Sequence, residues 1–205
     1  MKKRLANLWL LPVMLGSLAA RGQGTITFSG YGQHVWSGTN YSESGMIFQL
    51  TVPQGSSYDN MVILPSGSGN VPQNSTPFMG WFRQYNPYNY VSLSLTNGAP
   101  FGLVAVDLAD PLAPSYTNLP ISFIGYRLDG STVTNTFVTP GGGANYFVSY
   151  NFGPEFASGL LSVQINADRW AMDNLVWVPE PRAYALVGLG LLALAWKRFH
   201  QRRKS

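Results

Sequence analysis

Apolar and polar residues alternate with a period of two along most of the middle of the chain. The segments Val91–Thr96 and Leu161–Asn166 show this most clearly, with Val, Leu or Ile at every second position and polar residues between them. Such alternation is typical of a β-strand that has one buried face and one wet face. No segment between Gln23 and Val178 shows convincing helical periodicity.

The alternation and the turn residues around it predict a series of short strands. They are Thr25–Phe28, Met46–Val52, Asn60–Leu64, Phe78–Gln84, Val91–Thr96, Phe101–Leu108, Ile121–Leu128, Thr132–Phe137, Asn145–Phe152, Leu161–Asn166 and Ala171–Val178. Turn residues such as Asp129-Gly130 separate them, and Asn97-Gly98 between two alternating segments is a strong hairpin signal. Short strands without helices favour an all-β fold, an antiparallel two-sheet β-sandwich, with a jelly roll as the preferred topology.

Charge is distributed unevenly along the chain. The segment from Gln23 to Val178 contains three Arg and no Lys against eight acidic residues, whereas both chain ends are basic. Three scattered Arg residues cannot neutralise a run of phosphates, so we expect no nucleic-acid partner. The chain has no Cys, which excludes disulfides, zinc–thiolate sites and thiol nucleophiles.

The first 22 residues predict a signal peptide. A positive start, Met-Lys-Lys-Arg, precedes the mostly apolar run Leu5–Leu18, and the small residues Ala20 and Gly22 fit the positions before a cleavage site. Ser17 and Ala19 are an alternative pair, and an uncleaved anchor helix is an alternative to cleavage. The signal predicts signal peptidase and the general secretion machinery as partners.

The last 27 residues have three parts in a fixed order. The motif Pro179-Glu180-Pro181 precedes the apolar run Ala183–Trp196, which a basic tail follows. The basic residues are Lys197, Arg198, Arg202, Arg203 and Lys204. The apolar run would form a helix of about 21 Å, shorter than the ~30 Å hydrocarbon core, which suits a transient membrane anchor. Because Lys and Arg favour the cytoplasmic side, the tail is expected inside and the preceding domain outside, as the signal peptide also requires.

This tripartite end resembles the PEP-CTERM sorting signal. The resemblance implies recognition by an exosortase, a membrane protease that cuts at or near Pro179-Glu180-Pro181. It divides the chain into a signal peptide (1–22), a β-sandwich domain (23–178) and a sorting signal (179–205). A simple single-span anchor after a chance Pro-Glu-Pro is the alternative.

Three segments of the middle, at positions 41–48, 101–109 and 171–176, resemble the exported β-sandwich domains of PEP-CTERM proteins. Such domains are similar in layout to carbohydrate-binding jelly rolls, which often hold a structural Ca²⁺ with acids from an early segment and the last strand. The resemblance implies Glu43 and Asp173 as Ca²⁺ ligands, completed by backbone carbonyls. The alternative is that Asp173 bonds backbone groups near a strand end. We expect no other cofactor.

Catalytic candidates are few. His34 is the one His between the two chain ends, and no Ser stands in a G-x-S-x-G elbow. Asp110 precedes a proline and is interpreted as a turn residue, while Asp107 and Asp173 fall within strand patterns and need a partner or solvent. Nothing in the sequence places two carboxylates across a cleft, so we expect a protein that is not an enzyme.

Aromatic residues are dense in the segment from position 81 to position 90. Sugars stack their C–H faces on rings and bond to amide and Arg donors, and this segment offers both. The candidate glycan-stacking residues are Trp81, Tyr85, Tyr88 and Tyr90. The alternative is that the tryptophan and the last tyrosine belong to the core and the others pack a loop.

Together these patterns predict an exported, non-enzymatic protein that crosses the inner membrane transiently. It would reach the outer membrane, cell surface or extracellular matrix and bind extracellular polysaccharide there. A secreted carbohydrate-active enzyme using Asp or Glu, and a purely structural or adhesion protein of the matrix, are the alternatives.

Overall fold

The computed structural model describes residues 23–31, 36–51, 60–65, 76–82, 89–110, 118–140, 146–167 and 169–180. Backbone contacts group Gln23–Pro179 into one compact unit. The predicted signal peptide, membrane helix and basic tail lie outside the described residues and stay predictions. Within the described ranges, no helix is long and apolar enough to cross a membrane.

The described residues form thirteen β-strands and two short 3-10 turns, at Ser29–Tyr31 and Pro154–Phe156. The strands are β1 (Gly24–Ile26), β2 (Trp36–Gly38), β3 (Asn40–Glu43), β4 (Met46–Thr51), β5 (Met61–Leu64), β6 (Phe78–Phe82), β7 (Tyr90–Leu95), β8 (Phe101–Ala109), β9 (Leu119–Arg127), β10 (Thr132–Thr139), β11 (Val148–Asn151), β12 (Leu160–Asn166) and β13 (Arg169–Pro179). All their pairings are antiparallel, which confirms the predicted antiparallel all-β fold.

Seven strands form sheet I, in the order β2, β5, β6, β13, β8 and β11, with β1 also paired with β13. The long strand β13 lies at its centre, with its first residues beside β6 and its later residues beside β1. The pairing of β13 with β8 shifts between Asp173 and Val176, and Asn174 in this bulge has a φ of +47°. A bulge of this kind re-aims the side chains on either side of it.

The remaining strands form sheet II, in the order β3, β4, β7, β12, β9 and β10. A single residue pair, Leu160 with Phe101, joins the two sheets at one corner. Residues of both sheets share one core cluster, so the two sheets pack face to face as a β-sandwich, as the sequence predicted.

The main core lies between the inward faces of the two sheets. Trp170, Phe101 and Leu175 from sheet I and Phe48 and Phe123 from sheet II are completely buried there. Burial of each large apolar side chain contributes about 1.5–3 kcal/mol. In a chain without disulfides, this core is the main source of the sandwich's stability.

A second, smaller apolar cluster covers part of the outer face of sheet I. Phe78, Ala109 and Ala171 are completely buried in it, with Leu64 and Phe147 packed against them. The outer face of sheet II differs, because its outward residues on all six strands are exposed or half-buried.

The sequence prediction found all but two of the observed strands. The two that it missed, β2 and β3, are three and four residues long. The β3–β4 hairpin turns at Ser44-Gly45, where φ is +51° and +83°. Positive φ at both central residues is the requirement of a type I′ turn, and the Ser-Gly dipeptide was the available signal.

The hairpin predicted at Asn97-Gly98 is wrong. The turn itself forms, with Gly98 at φ +64° and its N–H donated to the carbonyl of Leu95 at 3.0 Å. However, it connects β7 of sheet II to β8 of sheet I, which do not pair with each other. Because β4 and β12 already pair with the two edges of β7, the strand after the turn finds its partners in the other sheet.

Candidate functional site: the polar face of sheet II

The outward side chains of sheet II form one continuous surface, which we call the polar face. Its members alternate with buried or half-buried residues along each of the six strands. They are Asn40, Ser42, Ile47, Gln49, Thr51, Tyr90, Ser92, Ser94, Ser162, Gln164, Asn166, Ser122, Ile124, Tyr126, Thr132, Thr134, Thr136 and Val138. These residues provide hydroxyls, amides and two phenol rings, and none of them is charged.

The charged side chains on the strands of sheet II bond elsewhere. Glu43 accepts hydrogen bonds from the backbone N–H of Thr27 at 3.2 Å and from the hydroxyl of Tyr41 at 2.6 Å. Arg127 donates to the backbone carbonyl of Glu155. The polar face therefore lacks the fixed charges that an anionic or cationic ligand requires.

A hydrogen-bonded row of side chains crosses the centre of the polar face. The hydroxyl of Tyr126 on β9 donates to Gln164 Oε1 on β12 at 3.0 Å, and Gln164 Nε2 donates to Asn166 Oδ1 at 2.8 Å. These bonds fix the orientation of the Gln164 amide. A ligand can bond to the second Gln164 N–H, to the Asn166 amide group and to the remaining lone pairs of the Tyr126 oxygen.

The two tyrosines of the polar face lie on opposite sides of β12. Tyr126 pairs with Ser162, which also pairs with Ser94 on β7, four residues along that strand from Tyr90. With ~4.8 Å between strands and ~3.4 Å per residue, the tyrosine positions lie roughly 17 Å apart along a diagonal. A surface of this length can contact several consecutive sugar units.

Of the predicted glycan-stacking residues, Tyr90 lies on the polar face and is half-buried. Tyr85 and Tyr88 lie outside the described residues, as does the side chain of Trp81. The backbone of Trp81 pairs with Met61 and Trp170, two residues of the core. Tyr126, Gln164 and Asn166 were not singled out from the sequence, although their alternation with core residues places them on the wet face of their strands.

The carboxylates of Asp107 and Asp173 are direct cross-strand partners on sheet I. The sequence analysis did not predict this pairing, because the two residues lie far apart along the chain. Asp173 is completely buried and accepts hydrogen bonds from the Thr76 hydroxyl at 2.6 Å and the Asn174 backbone N–H at 2.8 Å. Asp107 accepts from the Ser149 hydroxyl and from Asn174 Nδ2, at 2.5 Å and 2.8 Å. Hydroxyl and amide donors thus hold both carboxylates in place.

The two residues expected to hold Ca²⁺ lie on strands of different sheets. Glu43 lies on β3 of sheet II and accepts from the Thr27 backbone N–H, whereas Asp173 lies on β13 of sheet I and accepts from the Thr76 hydroxyl. In the part of the chain that the structure describes, no three acidic or His side chains are grouped as a metal site. The bond from the Asn174 backbone N–H to Asp173 is of the kind that the alternative, side-chain-to-backbone bonding, predicts.

The interpretation of Asp110 as a turn residue is incomplete. Its side chain is buried and forms a two-pronged ion pair with Arg169, with Nε–Oδ1 and NH2–Oδ2 distances of 2.9 and 3.0 Å. The pair connects the end of β8 to the start of β13. Asp110 therefore has a structural partner that its position before a proline did not reveal.

The sorting motif begins where the last strand ends. Pro179 is the final residue of β13 and Glu180 follows it, while Pro181 and the basic residues Lys197, Arg198, Arg202, Arg203 and Lys204 lie outside the described residues. His34 lies outside them as well. Trp177, two residues before Pro179, is the last buried core residue of the strand.

Comparison with known proteins gives no family for this chain. No family model and no curated protein matches it. Several solved structures are similar at low identity. The CBM22-1 xylan-binding domain of Paenibacillus barcinonensis Xyn10C matches with a TM-score of 0.38 and 13% identity, over 76% of this chain and 92% of that one. A family 11 carbohydrate-binding module from Clostridium thermocellum, in complex with a β-1,3-1,4-mixed-linked tetrasaccharide, matches with a TM-score of 0.38 and 11% identity, over 77% and 96% of the two chains.

A longer Clostridium thermocellum chain, with the CBM22-1 and GH10 modules of xylanase 10B and complexed with xylohexaose, matches with a TM-score of 0.41 and 12% identity. The match covers 76% of this chain and 28% of that chain.

Proposed function

We propose that this protein is exported and binds a neutral polysaccharide through the polar face of sheet II, without acting on it as an enzyme. The observation that carries the proposal is a broad, solvent-facing sheet surface built from hydroxyls, amides and tyrosine rings with no charged residue. Sugar hydroxyls need donors and acceptors of this kind, and sugar C–H faces pack on rings. A jelly-roll topology, our preferred prediction for the sandwich, would leave such a sheet face open to a chain.

The absence of charge on the polar face selects the class of ligand. Anionic glycans are bound by Arg and Lys through charge-assisted hydrogen bonds, and the described polar face offers neither. The domain itself carries more acidic than basic residues, which further disfavours a polyanion. We therefore expect neutral chains to bind and acidic chains to bind weakly.

The test is a binding assay with the purified exported protein. It compares neutral polysaccharides (xylan, mixed-linkage β-glucan, cellulose) with acidic ones (alginate, polygalacturonate) by affinity electrophoresis and calorimetry. Tyr126→Ala, which removes the ring and the hydrogen bond to Gln164, should weaken binding about tenfold, or ~1.4 kcal/mol. Tyr146→Ala is the matched control, because Tyr146 is 54% exposed but precedes β11 of sheet I.

Two results would count against glycan binding at the polar face. One is equal affinity of the unchanged protein and the Tyr126→Ala variant for every neutral glycan tested. The other is a preference for the acidic polysaccharides, which would place the ligand on a different surface.

We also propose that an exosortase processes the chain at Pro179-Glu180-Pro181. The position of the motif supports this, because β13 ends at Pro179 and the last buried residue is Trp177. A cut at the motif would leave every described core residue in place. Mass spectrometry of the exported protein should show a C-terminus near Pro181, whereas an intact Ser205 would indicate a permanent anchor.

A further inference from the structure

Among the described strands, β10 forms an edge of sheet II. It pairs with β9 through eight consecutive residue pairs without a register shift, from Thr132–Tyr126 to Thr139–Leu119. On its other side, no described strand pairs with it. The Arg127 N–H donates to the Ser131 carbonyl at 2.9 Å, and this bond shows which residue pairs of the β9–β10 hairpin are the hydrogen-bonded ones.

Antiparallel pairs alternate between hydrogen-bonded and non-hydrogen-bonded, so every second residue of β10 turns its backbone away from β9. Counting from the bonded pair Arg127–Ser131, the outward residues are Thr132, Thr134 and Thr136, followed by Val138. Pro120 lies opposite Val138, where a residue without an N–H does not break the ladder.

The sequence of this edge lacks the usual protection against pairing. Natural edge strands carry Lys, Pro or bulges, or are very short, to avoid joining other strands. β10 reads Thr-Val-Thr-Asn-Thr-Phe-Val-Thr over eight residues, with no charge and no Pro. The other edge strands in the described chain, β1, β2, β3 and β11, have only three or four residues.

One end of the edge is already closed. The hydroxyl of Tyr150 donates to the carbonyl of Val138 at 2.6 Å, and its ring packs on Phe137 with centroids 4.9 Å apart. Burial, and to a lesser degree the nearby Tyr146, raises the pKa of Tyr150, so its hydroxyl remains a donor. The free stretch is therefore Thr132–Thr136, whose centre is Thr134.

This stretch is complementary to itself under a two-fold axis at Thr134. Antiparallel pairing with a second copy places Thr132 opposite Thr136 of the other chain and Thr134 opposite its own counterpart. Threonine pairs across strands are favourable, and no like charges meet. On the opposite face of the strand, Val133 of one copy lies opposite Asn135 of the other. The Asn135 side chain already accepts a bond from the Gly153 N–H of its own chain, at 3.0 Å.

We propose that two copies of this chain dimerise by antiparallel pairing of their β10 strands about Thr134. The pairing satisfies the outward N–H and C=O groups of Thr132, Thr134 and Thr136 in both copies. It joins the two copies of sheet II into one continuous sheet. The two polar faces then form a single surface of twice the length. The dimer proposal does not depend on what that surface binds.

The absence of Cys makes cysteine cross-linking in the full-length protein a direct test of the register. Thr134→Cys should give a covalent dimer on oxidation or with a short bis-maleimide. Thr132→Cys and Thr136→Cys should cross-link when mixed but not alone. In a dimer of two Thr132→Cys chains, or of two Thr136→Cys chains, the two cysteines would lie about 14 Å apart along the strand. This is beyond the ~7 Å Cα limit of a disulfide. Ser42→Cys on the opposite edge strand β3 is the control and should remain monomeric.

Edge variants give a second, non-covalent test by sedimentation equilibrium. Thr134→Lys places two ammonium groups on the axis and should weaken dimerisation at least about tenfold, whereas Ser162→Lys, on the same face but on central strand β12, should not. Thr134→Pro removes an outward N–H without breaking the β9 ladder and should also give monomers.

A monomeric Thr134→Cys protein, or equal cross-linking of all four single variants, would overturn the β10 dimer. Cross-linking to a different protein would show that another chain occupies the edge and would overturn the two-fold arrangement. None of these measurements involves a polysaccharide, so they can fail or succeed independently of the glycan-binding proposal.

Discussion

Asp107 and Asp173 face each other across β8 and β13, and the side chain and backbone of Asn174 together bond both carboxylates. The Asn174 backbone N–H donates to Asp173 at 2.8 Å, and its Nδ2 donates to Asp107 at 2.8 Å. Asn174 makes this double contact because the bulge gives it a φ of +47°. Asn tolerates this left-handed conformation better than most residues with a Cβ.

Replacement of Asn174 separates the two roles of this residue. Asn174→Gly keeps the positive φ without strain but removes the bond to Asp107, and should lower the free energy of unfolding by about 1–3 kcal/mol. Asn174→Ala removes the same bond and adds backbone strain of about 1 kcal/mol, so it should be the less stable of the two. Denaturant unfolding measures both, and equal stabilities would show that φ at this position is not restrictive.

Replacements of Asp110 and Arg169, the two partners of a buried ion pair, should have strongly non-additive effects on the free energy of unfolding. Asp110→Ala or Arg169→Ala each leaves a charge without its main partner in a buried site, at a cost of about 3–5 kcal/mol. The double variant should be more stable than the sum of the single losses predicts, by at least ~1 kcal/mol. A double-mutant cycle by urea unfolding measures the coupling, and strict additivity would contradict it.

Gly102 at the start of β8 should tolerate no side chain. A Cβ at this position would overlap the backbone carbonyl of Ala157, which cannot rotate away. Gly102→Ala should therefore destabilise the sandwich by about 1–3 kcal/mol or more. Leu128→Ala is the control, because Leu128 is 71% exposed, and its thermal unfolding should match that of the unchanged protein.

Acid should remove a stabilising contribution from the turn between β9 and β10. The side-chain hydroxyl of Ser131, and then its backbone N–H, hold the pKa of Asp129 below its ordinary value, with bonds of 2.6 and 2.9 Å. Because the folded-state pKa is the lower one, this contribution is present at neutral pH and is lost as the pH falls through it. Ser131→Ala should raise the pKa of Asp129 in an NMR titration, whereas Ser122→Ala should leave it unchanged.

Much of the sandwich follows from local pattern. The alternation that runs through β7 and β12 marks the inward and outward positions of those strands, because side chains point to opposite faces at every step. The polar face was therefore implicit in residues such as Ser92 and Gln164. The Asp129-Gly130 turn also formed the hairpin that its position between two strands allows.

The local pattern did not determine which strands become neighbours. Asn97-Gly98 makes its turn, yet the chain crosses to the other sheet because both edges of β7 are already paired. The partnership of Asp107 with Asp173, and that of Asp110 with Arg169, joins residues 66 and 59 positions apart along the chain.

The amino-acid sequence by itself determined all strands but β2 and β3, their faces and the lack of charge on the outward residues of sheet II, since each depends on residues a few positions apart. Only the tertiary structure decided that six such strands join into one polar face, that two aspartates share a bulge, and that β9 is the one described strand that pairs with β10. These outcomes depend on strand order, which is set by the competition of all strands for pairing and burial at once.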